Sequence, residues 1–124
     1  MAKLSKETVQ SVDHGPVEEW AVDAEGQNIA FVSFKATVDA TPLLKGLPND
    51  QCVSPHWGYV LKGEISYTRD GVEEVHKAGD AFYVPAGHTS AATAGSEIVQ
   101  FSPSDLLAQT AAAMQSNMQA MTRK

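Results

Sequence analysis

Between Trp57 and Pro103 the chain is cut at short, regular intervals by residues that turn a backbone. Trp57-Gly-Tyr-Val-Leu61 ends at Lys62-Gly63, and Glu64-Ile-Ser-Tyr-Thr68 ends at Asp70-Gly71. Val72 to His76 ends at Ala78-Gly79-Asp80, Ala81-Phe-Tyr-Val84 at Pro85-Ala86-Gly87, and Ile98-Val-Gln-Phe101 at Pro103. Asp-Gly adopts positive φ readily and is a strong hairpin signal. Such segments hold four or five residues each. Short strands with turn signals about every 8–12 residues predict an all-β sandwich or barrel. Ile29-Ala-Phe-Val-Ser-Phe34 adds an earlier strand.

The remainder is read around that frame. Residues 1–20 are polar and predict a loosely held start, so the N-terminal arm is placed at about 1–28. The barrel follows over 29–103, and a C-terminal helix over 104–124. Asp39 to Asp50 reads as a loop whose Leu43, Leu44 and Leu47 plug the edge of the core or form a lid over a pocket. From Ser104 onward there is no Gly or Pro, and Leu107, Ala111, Met114, Met118 and Met121 recur at three- and four-residue steps. That spacing puts them on one helix face, expected to pack on the barrel, with dimer contact as the alternative. Ser104 or Asp105 is positioned to cap the helix start, and Arg123 and Lys124 complement the dipole at its end.

At 124 residues the chain is one domain. Nine basic against 15 acidic residues give a net charge of −6, and the basic ones are scattered. No stripe of them could neutralise a run of phosphates, so nucleic-acid binding is not expected. No apolar run reaches the roughly 18–20 residues of a membrane span, and the first twenty residues lack the apolar core of a secretory signal. The one cysteine, Cys52, forms no internal disulfide, which fits a reducing cytoplasm.

His56-Trp-Gly-Tyr-Val-Leu-Lys-Gly63 and Gly79-Asp-Ala-Phe-Tyr-Val-Pro-Ala-Gly87 resemble the two motifs of the cupin family, small double-stranded β-helix (jelly-roll) barrels. Gly79 followed after five residues by Pro85-x-Gly87 fits the skeleton of the second motif. Together with Thr41 to Pro48, Cys52 and Pro55, these residues look like a group of small single-domain bacterial cupins of unassigned reaction. The resemblance implies a metal- or ligand-binding pocket inside the barrel and a homodimer. It implies no reaction, because the fold hosts many unrelated functions.

The departures from the family pattern fall at the metal ligands. Counting back from Gly63, the motif glutamate falls on His56, and the two motif histidines fall on Asp50 and Cys52. The second-motif histidine falls on Ser90, while His88 lies two residues earlier. The resemblance therefore implies an inward-facing set of Asp50, Cys52, His56 and His88. One thiolate, two imidazoles and a carboxylate are all competent donors, and Cys/His2 with an open position suits zinc, and also iron, nickel or copper. Asp50 also fits ordinary turn chemistry after Asn49. The plain alternatives are a small buried Cys52 and hydrogen-bonded, metal-free histidines.

Gly58 is the next inward position after His56, and its missing side chain is expected to leave room for a ligand. Ser90, Phe82 and Gln100 complete the expected pocket, although Tyr67 and Phe82 read more simply as core. Trp57 and Tyr59 point outward, toward a second sheet or subunit. His14 and His76 read as solvated, and adjacent Glu73 and Glu74 face opposite ways, so they cannot form a paired acid/base site. Two functions follow as expectations. One is a metal-dependent enzyme acting on a small organic substrate. The other is a non-catalytic binding or sensing module without metal.

Overall fold

The structure is a computed structural model and describes residues 1–122; Arg123 and Lys124, expected to face the helix dipole, lie outside the described residues. Ten strands run in order: β1 (Val12–Asp13), β2 (Val17–Ala24), β3 (Gln27–Phe34), β4 (Val38–Asp39), β5 (His56–Lys62), β6 (Glu64–Arg69), β7 (Val72–Lys77), β8 (Ala81–Val84), β9 (Thr89–Ala92) and β10 (Glu97–Pro103). One helix, α1 (Ser104–Thr122), follows them. The strands form a six-stranded sheet ordered β1-β2-β3-β10-β5-β8 and a four-stranded sheet ordered β4-β9-β6-β7. Every pairing is antiparallel. This is the jelly-roll arrangement of the cupin barrel.

The core lies between the sheets, where Ala30, Val32, Val60, Ile65, Tyr67, Phe82, Val84, Ala92 and Ile98 pack together. The strand pattern is cleanest in β5. His56 and Val60 are buried while Trp57, Tyr59 and Leu61 are exposed, the period-two alternation of a half-buried strand. The Asp70-Gly71 turn closes β6 onto β7 with both residues at positive φ.

The N-terminal segment differs from the expectation of a loose arm. Residues 17–24 are a full strand, registered against β3 from Val17↔Phe34 to Ala24↔Gln27. Its charged residues hide the strand signal, because Glu18 faces outward while Glu19 and Asp23 lie on the inner side at the cavity rim. The 39–50 loop contains two single-turn 3₁₀ helices, Thr41–Leu44 and Pro48–Asp50. Leu44 is fully buried and Leu43 lines the internal cavity.

On α1, Leu107, Ala111, Met114 and Met118 face that cavity, whereas Met121 is 54% exposed. The helix is held at three points along its length. The Ser104 hydroxyl donates to the Asp23 carboxylate at 2.8 Å, and it is the Asp105 carboxylate that accepts a first-turn amide, Leu106 N–H, at 2.9 Å. Thr110 bonds Val53, and the Asn117 amide donates to the carbonyls of Leu43 and Lys45 at 2.7 and 2.8 Å.

Gly58 also departs from expectation: its empty side is filled. A Cβ there would lie 2.5 Å from the Phe82 ring and 2.6 Å from the Val99 carbonyl oxygen. The glycine makes room for Phe82, not for a ligand. Because the Val99 carbonyl belongs to a strand flanked on both sides, it cannot yield cheaply. Gly58→Ala is expected to cost about 1–3 kcal/mol by overpacking. Urea unfolding measures this, and an unchanged midpoint would show that the ring moves freely.

Candidate metal centre and cavity

Cys52 and His88 are brought together by backbone pairing. They form an isolated antiparallel bridge, in which the Cys52 N–H donates to the His88 carbonyl at 2.9 Å and the Gly87 N–H donates to the Cys52 carbonyl at 2.8 Å. Directly opposed residues point their side chains to the same face. The Ser54-Pro55 step then leads into β5, whose first residue, His56, faces inward. Thus a sulfur and two imidazoles from distant parts of the chain converge. One donor atom from each of Cys52, His56 and His88 lies within 4.8 Å of the others, and all three residues are buried.

Each ring is oriented by its second nitrogen. His88 Nδ1 donates to the Pro85 carbonyl at 2.8 Å, which leaves Nε2 as the lone-pair atom. His56 Nδ1 bonds Ser102 Oγ at 2.7 Å, and its Nε2 lies 3.6 Å from Cys52 Sγ. Hydrogen bonds of this kind fix ring orientation in metal sites. The spacing suits a metal: one ligand at about 2.0 Å and another at about 2.3 Å, at a tetrahedral angle, lie about 3.5 Å apart. Among the described residues no other group of three such donors occurs.

Burial sets the protonation states. It pushes the His56 imidazole down to about 3, with the neighbouring His88 adding to the effect, so the ring is neutral and ready to ligate near pH 7. His88 is lowered by the same loss of hydration. Burial pushes the Cys52 thiol up, opposed by hydrogen bonding to the Thr110 hydroxyl and to the Ser54 backbone. An incoming cation would therefore displace a proton from Cys52.

Three contributors were missed in the sequence. Ser102 orients His56 from β10. Tyr67 meets both His56 and His88, with ring centroids 6.4 and 5.2 Å away. Its phenol is pushed upward by burial and by nearby Cys52, which keeps it an O–H donor. Thr110 comes from α1: its Oγ1 accepts from the Val53 N–H at 3.2 Å and lies 3.5 Å from Cys52 Sγ. Either atom can donate while Cys52 is a thiol; once the thiol is ionised, the hydroxyl proton is the one that can bridge to the sulfur. Only the parity of Ser102, two residues from Gln100, was a usable signal; a helix hydroxyl reaching the site had none.

Thr110→Val keeps the shape and deletes that donor. It is expected to weaken zinc binding about tenfold while the fold survives, since losing an outer partner typically costs 10–100-fold. Competition with a chromophoric chelator reads this, and equal affinities would show the hydroxyl to be a packing contact only.

Two expected site residues do not join the cluster, and a third stays in the core. Asp50 is exposed at positive φ, and its carboxylate accepts the Gly46 N–H at 2.9 Å, so it closes its own loop instead of pointing into the barrel. Gly58 is occluded by Phe82, and Phe82 itself packs against Tyr67 and His76. Ser90 and Gln100 do line the cavity that opens from the three donors. His76 is not solvated. It is 8% exposed, stacked 5.1 Å from Phe82, with Nε2 3.1 Å from Glu74. Register explains this: His76 opposes Ile65, an inward residue, whatever its charged neighbours suggest. His14 is exposed and paired with Glu19 at 3.0 Å on the cavity rim.

The cavity has a volume of about 440 Å³ and extends from the three donors between the inner face of the barrel and α1.

Residues 52–99 match the Cupin domain family, the stretch that carries Cys52, His56 and His88. No curated protein sequence matches the chain. Among solved structures, an RmlC-like cupin from Shewanella frigidimarina NCIMB 400 is similar, with a TM-score of 0.58 and 23% identity over 80% of this chain and 87% of that one. KdgF from Halomonas sp. is similar at a TM-score of 0.58 and 20% identity, covering 83% and 94%. The polyketide cyclase RemF from Streptomyces resistomycificus is similar at a TM-score of 0.58 and 14% identity, covering 84% and 80%. At these identities the likeness carries the fold.

Proposed function

We propose that this small cupin holds one divalent metal ion through Cys52, His56 and His88 and presents it to a small organic ligand in the barrel cavity. The observation that carries this reading is the convergence of three buried donors on one point, each with its supporting hydrogen bonds already made. Zinc fits a compact thiolate-and-imidazole set best, with iron and nickel as the other metals such donors accept. Three protein ligands leave a position open, and a metal there supplies Lewis acidity toward a ligand oxygen. The chain's own residues hold the imidazoles neutral through burial and set the Tyr67 ring against both of them. Whether turnover follows divides an enzyme from a binding module, and both use the same site.

The test is metal stoichiometry. Protein stripped of metal and reconstituted is expected to take up one zinc per chain, and cobalt in its place is expected to give a thiolate-to-metal charge-transfer band. Failure of zinc, iron and nickel alike to bind would leave the metal-free binding module as the function.

A second reading concerns assembly. The outer face of the six-stranded sheet carries two cross-strand apolar rows, Val22-Ile29-Phe101-Trp57-Tyr83 and Trp20-Phe31-Val99-Tyr59-Ala81. Trp57, Tyr83 and Phe101 are 46%, 53% and 42% exposed. A contiguous aromatic face of this kind is unusual on a monomer. We propose that it pairs with a second copy in a homodimer, in the reducing cytoplasm that the lone thiol suits. Light scattering is expected to give a dimer at micromolar concentration and a monomer for Trp57→Lys. A monomeric wild-type chain would remove this reading.

A further inference from the structure

The cavity beyond the three donors is specific in its chemistry. At about 440 Å³ it falls in the range of small-molecule sites. Val32, Phe34 and Leu44 form one side, and Leu107, Met114 and Met118 of α1 roof the other. Among the described residues no lysine or arginine lines it; the charged groups there are Glu19 and Asp23, with His14 beside them at the rim. A phosphate or a uronate would find no lysine or arginine there among the described residues and would meet two carboxylates on entry.

The deep end carries a second, independent sign of a ligand. Tyr67 is 5% exposed and lines the cavity, yet its hydroxyl bonds no described residue. No occluded polar side-chain atom among the described residues lacks a partner, so this hydroxyl must be open to the cavity. A hydroxyl that faces an apolar cavity and bonds no protein group is free to pair with a ligand oxygen that displaces its water. Ser90 and Gln100 line the same space.

We infer that the cavity takes an uncharged, largely apolar molecule with one terminal oxygen, a phenol or an alcohol, whose oxygen meets the Tyr67 hydroxyl beside Cys52, His56 and His88 while its hydrocarbon body lies under α1. The inference deepens the metal-site reading, but the apolar cavity and Tyr67 stand without an ion. A methionine-rich roof suits irregular apolar bodies, because the thioether side chain adapts its shape.

The methionines make the test direct. Full-length protein labelled at the methionine methyls is titrated with 1-naphthol, naphthalene and glucuronate, each with and without zinc. 1-Naphthol is expected to move the Met114 and Met118 signals and leave Met121 in place, and glucuronate to move none. Tyr67→Phe is expected to erase a preference for 1-naphthol over naphthalene of about fivefold, the worth of one hydrogen bond. Ala111→Leu, which fills the cavity from α1, is expected to weaken 1-naphthol at least tenfold. Shifts from glucuronate alone, shifts at Met121 alone, or no methionine shift with saturating 1-naphthol would overturn the inference. Methionine shifts in a protein that takes up no metal would sink the metal reading and leave this one standing; zinc uptake without those shifts would do the reverse.

Discussion

Saturating zinc is expected to raise the melting temperature of the metal-free protein by about 10 °C, and Cys52→Ala is expected to abolish that rise. Zinc at 100 times its dissociation constant stabilises the folded state by about 2.7 kcal/mol. For a domain of this size each kcal/mol moves the midpoint by roughly 3–5 °C. The effect is large because the three ligands come from separate parts of the barrel wall, and the helical roof backs one of them. Cys52 and His88 pair across β-structure, His56 opens β5, and Thr110 touches the sulfur from α1. An ion held by Cys52, His56 and His88 resists separation of the segments that carry them. Cys52→Ala removes the only soft ligand but little volume, so its metal-free melting temperature should stay within a few degrees of the parent. Differential scanning fluorimetry with zinc and with magnesium separates the outcomes. An equal rise in Cys52→Ala would place the ion elsewhere, and an equal rise with magnesium would mean generic cation screening.

The strands and the site were legible to different degrees, for different reasons. Turn residues announce strand ends because positive φ is a local demand, as at Asp70-Gly71. Inward parity along β5 followed from period-two geometry alone, and it places His56 inside and Trp57 and Tyr59 outside. Side chains whose position depends on a partner strand were not legible. His76 faces inward because it opposes Ile65, a fact of register that its acidic neighbours conceal. Asp50 shows the converse. It occupies a ligand position by motif counting, but the chain there is a 3₁₀ turn and not a strand, so the parity argument has no strand to act on. Gly58 failed for a third reason. An absent side chain looks like space in one dimension, and only the packed barrel reveals that Phe82 from the paired strand β8 already occupies it. Thr110 was read as neither core nor ligand because the helix stripe was defined by its apolar members, one position away.

Acidification is expected to destabilise the metal-free protein well before its carboxylates titrate. His56 has a folded-state value of about 3 against an ordinary 6.5, so between those limits the unfolded chain carries a proton that the folded chain refuses. Stability therefore rises with pH across that window, is fully present above pH 6.5, and drains away as pH falls. The slope for one such group is about 1.4 kcal/mol per pH unit, so a descent from pH 6.5 to 5 removes about 2 kcal/mol on account of His56. His88, lowered by the same burial, steepens the loss. That is a sizeable part of the 5–15 kcal/mol that holds a domain together. Urea titrations at half-unit steps between pH 7.5 and 5 measure it directly. His56→Asn keeps a side-chain amide within reach of the Ser102 hydroxyl but cannot take up a proton. Its stability at pH 7 is expected to be lower than the parent's and its slope below pH 6.5 shallower by about one proton. Parallel slopes in the two proteins would mean that His56 accepts its proton inside the fold, and that water reaches the centre of the barrel.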